Sequence, residues 1–310
     1  MRIVVIFLAA APFFMMSIFI LYYSFYIIHP LKRELSSYHI EWFNRLANSR
    51  LEIRYYKKSY MVIKATKASL SSNRFRLLRE SFILRGFKPS KINSEVVVLL
   101  HGKNGIKEDL LPIAERFVAM GFIVVVPDLP LHGNSVYGVG EYRFLEKILD
   151  DAKKHIKLDK EIAIWGFSLG GAYALFNFGS SKYRYGALAL ISVFERGDKV
   201  VKNRIKRLID IPILDEIIFS MVSSSLRAFY NIDLKEIDLK RYAKEVDAPL
   251  LMIYGLEDKI IDYNQTMRLF LSFSSKDKEM IVTKSNHYAI LAKVGILYKS
   301  GYFLMRRLKK

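Results

Sequence analysis

Ile162-Ala163-Ile164-Trp165-Gly166-Phe167-Ser168-Leu169-Gly170-Gly171 is the stretch whose reading decides the fold. The apolar run 162–165 has the continuous hydrophobicity of a strand covered on both faces. It enters Gly166-Phe167-Ser168-Leu169-Gly170, a G-x-S-x-G, and then the helical-looking Gly171-Ala172-Tyr173-Ala174-Leu175-Phe176. Strand, sharp turn and helix form the setting in which this motif makes a nucleophile elbow. Side chains at the flanking positions would collide with neighbouring backbone, and the turn strains the serine so that its hydroxyl is exposed. The pentapeptide acquires chemistry only if the chain also supplies a base, an orienting acid and an oxyanion hole.

Upstream, Glu95 to Leu100 reads as a buried strand ending in His101-Gly102-Lys103-Asn104-Gly105. Leu110 to Met120 has helical periodicity, and Gly121 stops it. Phe122 to Pro127 is the next buried strand, followed by Asp128 and the segment Leu131-His132-Gly133-Asn134-Ser135; residues 141–157 form a charged amphipathic helix. Downstream, Gly186 to Ser192 is again a strand. From Glu195 to Val246 the alternation lapses into amphipathic helical patterns, which predicts a helical insertion. The sheet resumes at Ala248 to Gly255, followed by Leu256-Glu257-Asp258. A helix over 263–273, a strand over Glu279–Val282, His287 and a basic final helix complete the chain. Strands alternating with helices predict an α/β fold, a mostly parallel sheet with helices on both faces. Ser81 to Arg85 reads as the beginning of the sheet.

The remaining 80 or so residues differ in kind. Ile3 to Ile28 holds 26 residues without a charge, more than the ~20 needed to cross a hydrocarbon core. A cleaved signal peptide would have a shorter apolar run and a small-residue cleavage site, but here Ala9-Ala10-Ala11 is followed by Pro12 and further bulky residues. Tyr22, Tyr23 and Tyr26 cluster at the far end, as interfacial aromatics do. Residues 31–50 have near-helical apolar spacing. Residues 30–91 carry 15 Lys and Arg against four Glu, most of the formal net charge of +19. Its basic residues alternate with aromatics, as in Arg54-Tyr55-Tyr56-Lys57-Lys58, a pattern that can bind nucleic acid. Beside an apolar span, attraction to anionic lipid headgroups is the preferred reading. Lysines and arginines on the C-terminal flank predict a cytoplasmic main domain. With no cysteine in 310 residues, disulfides, thiolate zinc sites and a cysteine nucleophile are excluded.

Four motifs in this order, the His101-Gly102 strand end, Asp128 to Ser135, the Gly166 to Gly170 elbow, and Gly255-x-x-Asp258 followed by His287, resemble the α/β-hydrolase superfamily over residues 80–310. Within it the chain is most similar to small, often membrane-anchored serine hydrolases of the serine-aminopeptidase-like or dienelactone-hydrolase-like kind. The resemblance implies a Ser168 nucleophile, a His287 base and an Asp258 acid, since the base comes last in this fold. Glu257 adjoins Asp258 and is the alternative acid. It implies an oxyanion hole from the Leu169 amide and one in the loop after Gly102, Lys103 or else Asn104. No metal or cofactor is expected. His101 and His132 are expected to brace loops, His155 to be solvated, and His29 and His39 to be interfacial.

The domains expected are a transmembrane anchor over 1–29, a basic juxtamembrane segment over 30–79 and a hydrolase domain over 80–310 with a helical cap at 195–246. The function expected is a membrane-anchored serine hydrolase cleaving acyl ester or thioester bonds, in contact with anionic headgroups and not with nucleic acid. An aminopeptidase or amidase on the same triad, and an inactive membrane-tethered binding protein, are the alternatives.

Overall fold

In the computed structural model, residues 2–31, 33–138, 140–179 and 181–308 are described, and of residues 2–13 only the backbone. The chain divides into two compact units, residues 1–31 with 195–238, and residues 32–194 with 239–310.

The larger unit is built on α2 (Ser37–Asn48), β1 (Glu52–Tyr56), β2 (Tyr60–Lys64), α3 (Asn73–Ile83), β3 (Glu95–Leu100), α4 (Leu111–Met120), β4 (Phe122–Pro127), α5 (Phe144–Ala152), β5 (Ile162–Phe167), α6 (Leu169–Phe178) and β6 (Tyr185–Ile191). The smaller unit holds α1 (Arg2–Ile28), α7 (Gly197–Ile209) and α8 (Leu214–Tyr230). The chain then returns through α9 (Leu239–Ala243), β7 (Leu250–Gly255), α10 (Tyr263–Ser272), β8 (Lys278–Thr283) and α11 (Val294–Arg307).

The strands form one sheet in the order β1-β2-β4-β3-β5-β6-β7-β8. β1, β2 and β4 pair antiparallel, and every pair from β4 to β8 is parallel. β3 to β7 are buried at every position, as strands covered on both faces must be. Residues alternate across the sheet. Val97, Leu99, Ala163 and Trp165 join one core with Leu46, Phe75, Phe82, Phe117 and Leu304 from α2, α3, α4 and α11, while α6, α9 and α10 contribute to the other layer.

The structure corrects the start of the sheet. It begins at Glu52, not at Ser81, and residues 81–85 lie in and just after α3. Phe75, Leu78 and Phe82 recur at helical spacing, with Phe75 and Phe82 fully buried, so the apolar pattern around 82 belongs to a helix face. The basic segment 30–79 is therefore largely folded into the sheet unit, and part of its charge is used internally. Arg74 donates to both carboxylate oxygens of the buried Glu115 at 2.6 and 2.7 Å, and Arg79 to the carbonyls of Ala119 and Ser90. His39 is likewise fully buried, its Nε2 3.0 Å from Asp109, rather than interfacial. The helical insertion closes at Asp238, and α9 belongs to the sheet unit.

In the smaller unit, Ile20 and Tyr23 of α1 pack on Val201, Ile205, Ile218, Val222 and Leu226 of α7 and α8. One face of α1 is thus covered by protein, unlike that of a lone helix surrounded by lipid. The expected anchor over Ile3–Ile28 lies partly outside the described side chains, and among the described residues no helix is long and apolar enough to cross a membrane.

Candidate active site

Ser168 sits between the end of β5 and the start of α6 with φ 51° and ψ −115°, a conformation that a non-glycine residue adopts only when its surroundings hold it there. Its amide donates to the Ile191 carbonyl of β6 at 2.8 Å, and its carbonyl accepts from Gly171 at 3.0 Å. The glycines are needed for contact. A β-carbon at Gly166 would lie 2.7 Å from the Gly171 Cα, and one at Gly170 2.3 Å from the Leu100 carbonyl oxygen.

β7 ends at Gly255, and the chain turns so that Glu257 donates its amide to the Ser285 carbonyl at 3.0 Å and Asp258 donates to Gly255 at 2.9 Å. Oδ1 of Asp258 accepts from the amides of Ile260 and Ile261 at 2.9 and 3.0 Å. This leaves Oδ2 for His287, whose Nδ1–H donates to it at 2.6 Å. Nε2 of His287 then carries the lone pair and accepts from the Ser168 hydroxyl at 3.1 Å. Asp258 and His287 are 8% and 4% exposed, so this chain of hydrogen bonds lies in low dielectric. Glu257 is exposed and makes no part of it. The Phe167 ring rests 4.9 Å from the imidazole and limits its tilt.

Leu169 is the first residue of α6, where an amide has no acceptor within the helix. The loop after β3 folds into a tight turn closed by Gly105 N–H to the Gly102 carbonyl at 3.1 Å, with Asn104 left-handed at φ 61°. A β-carbon at Gly102 would lie 3.6 Å from the Ser168 Cβ and within 3 Å of the Phe167 ring. Only glycine lets this loop, with Lys103 next in sequence, approach Ser168 so closely.

What holds the loop was not legible beforehand. Lys107 is 1% exposed and its Nζ donates to Oδ2 of the fully buried Asp128 at 2.8 Å. The Lys107 amide donates to Oδ1 and the Asn134 amide to Oδ2. Asp128 thus ties the two segments that follow the neighbouring strands β3 and β4. The available signal was an acid at one strand end and a lysine seven residues beyond the other, meaningful only once the strands are known to be adjacent. His101 donates from Nδ1 to the Gly102 carbonyl and accepts at Nε2 from the Leu129 amide; burial lowers its pKa. His132 donates to the Pro130 carbonyl, and burial, helped by the charge-like neighbours His101 and Lys103, lowers its pKa to about 3. Both imidazoles brace loops as neutral rings. His155 stacks on Tyr56 at 4.0 Å. Among the described residues no group of three or more acidic or histidine side chains is placed to hold a metal ion.

The fold built on this sheet recurs in solved structures. An esterase from Pyrococcus furiosus aligns over 91% of this chain and 98% of its own with a TM-score of 0.62 at 17% identity. The chain has the α/β-hydrolase fold. A thermophilic esterase from Thermogutta terrifontis aligns over 71% of this chain and 92% of its own, with a TM-score of 0.52 at 18% identity. An acylaminoacyl peptidase from Pyrococcus horikoshii aligns over 90% of this chain and 45% of its own, with a TM-score of 0.56 at 17% identity. The chain matches no family model and no curated protein. At such identities the α/β-hydrolase likeness is one of fold.

Proposed function

We propose that the chain is a serine hydrolase that cleaves acyl ester or thioester bonds through a Ser168 acyl-enzyme. The observation that carries this reading is the continuous relay from the Ser168 hydroxyl through His287 to Asp258, on a serine held in a strained turn. A serine hydroxyl is a weak nucleophile until a base takes its proton. His287 Nε2 accepts that proton as Oγ attacks the acyl carbonyl, and Asp258 stabilises the resulting imidazolium without taking the proton itself. The carbonyl oxygen, now an oxyanion, is met by the Leu169 amide and by an amide of the Gly102–Gly105 turn, with Lys103 assigned that role. His287 returns the proton to the leaving alcohol or thiol. It then activates water to release the acid.

The membrane belongs to the same proposal. The uncharged run Ile3–Ile28 and the basic residues that follow it support attachment to an anionic bilayer surface. Positive charge on the C-terminal flank supports a cytoplasmic hydrolase unit, which protease protection in sealed vesicles tests.

A fluorophosphonate probe tests the chemistry. Labelling of the wild type that disappears in folded Ser168→Ala is expected; a folded, unlabelled wild type refutes the reading. Parallel assays with p-nitrophenyl acyl esters and aminoacyl anilides decide between ester and amide cleavage.

A further inference from the structure

Helix α8 has no reason in the hydrolase chemistry to be as apolar as it is. Ile217 to Leu226 is ten residues without a charge, and only its inner face is covered, by Ile20 and Tyr23 of α1 and by α7. Outside that contact Ile217, Met221 and Phe229 are 47, 36 and 70% exposed, beside Leu21, Tyr22 and Phe25 of α1 at 51, 64 and 50%. Exposed apolar residues scattered singly mean little, but a contiguous two-helix face marks an interaction surface.

Between the helices runs a seam made of two adjoining grooves. One, of about 490 Å³, is lined by Leu21, Tyr22, Phe25, Ser225, Phe229 and Tyr230. The other, of about 380 Å³, shares Leu21, Ser225 and Phe229 and continues past Ser17, Ser220 and Met221. The helices run in the same direction, since residues 17–25 of α1 face residues 220–229 of α8 in order. Ser225, only 8% exposed, has a hydroxyl with no hydrogen-bond partner. A long apolar seam with an unanswered donor suits an acyl chain and its ester carbonyl.

We propose that the exposed face of the α1/α8 pair docks in the acyl layer of an anionic phospholipid bilayer, with a lipid chain in the seam. This rests on the membrane attachment proposed above and extends it from α1 to α8. Two features select a bilayer over a second copy of the chain. The sequence N-terminal to the pair stays uncharged as far as Ile3, and α7 carries Lys199, Lys202, Arg204, Lys206 and Arg207 against the single acid Asp198, a complement to anionic headgroups.

The absence of cysteine makes the test direct. Single cysteines replacing Ile18, Met221 or Phe229 in the full chain carry an environment-sensitive fluorophore, with exposed Leu271 of α10 as the control. Vesicles of phosphatidylcholine with about a third phosphatidylglycerol are added, with and without brominated chains. Blue-shifted, bromine-quenched emission at 18, 221 and 229 but not at 271 is expected. Met221→Asp with Phe229→Asp should weaken vesicle binding by about tenfold or more while hydrolysis of p-nitrophenyl acetate is unchanged. Quenching at 18 alone overturns the role of α8 and leaves the attachment of α1 standing. No quenching at any position overturns both. Burial that depends on protein concentration and not on vesicles assigns the face to a second copy and likewise overturns the proposal.

Discussion

Asp258 divides its two carboxylate oxygens between scaffold and imidazole. Oδ1 accepts two backbone amides, from Ile260 and Ile261, and Oδ2 accepts Nδ1–H of His287 at 2.6 Å. The two amides fix the rotation of the carboxylate, so its other oxygen meets the imidazole in one orientation. Asp258→Asn can keep both amides on its oxygen but then presents an NH2 to Nδ1, which selects the tautomer with the proton on Nε2. Activity should fall by ~10⁴-fold with near-normal stability, measured as kcat beside a urea melt.

Ser168→Ala removes the proposed nucleophile and leaves the backbone turn intact. Hydrolysis should drop by roughly 10⁴-fold or more, and removing His287 as well should cost little further because the two act as a unit. Additive losses in the double variant would contradict the relay.

Gly102→Ala places a methyl within 3 Å of the Phe167 ring, which itself lies 4.9 Å from His287. Moving that ring disturbs the imidazole and the Gly102–Gly105 turn together. A fall in kcat of about 10- to 100-fold with little change in KM is expected from steady-state kinetics.

Lys107→Met leaves the Asp128 carboxylate buried without its cation. Breaking such a pair costs about 3–5 kcal/mol, to be read from the shift of the urea midpoint. Loss of activity should accompany it at temperatures where the protein is still folded, since Lys107 follows the turn to which the oxyanion hole is assigned.

His101 and His132 are buried as neutral rings with lowered pKa values, His132 at about 3. In the unfolded chain they protonate near 6.5. The unfolded state therefore binds more protons between about 3 and 6.5 at His132, and stability falls as pH drops below about 6.5, by ~1.4 kcal/mol per pH unit for His132, with His101 adding in the same direction. Above that pH neither contributes. Urea melts from pH 7 to 5 should give this slope, and His132→Gln should reduce it by about one proton.

The alternation of buried strands and helices from Glu95 onward was legible because parallel strands covered on both faces leave continuous apolar runs, as Val96 to Leu100 and Ile162 to Trp165 do. Ser168, Asp258 and His287 could be named because the motifs after the strand ends follow the order that the resemblance to the α/β-hydrolase superfamily implies. Residues 52–83 were misread because the short strands β1 and β2 are rich in basic and aromatic residues, a composition shared with solvated surfaces. β4, on which β2 pairs, lies some 60 residues downstream. The sequence alone thus determined the sheet's periodicity, the G-x-S-x-G turn at Ser168 and an uncharged N-terminal run. Tertiary structure alone decided that Asp258 and not Glu257 meets His287, that Lys107 reaches Asp128, and that α8 lies along α1. Each of these depends on contacts between segments far apart in the chain, and local residue patterns carry no record of distance through space.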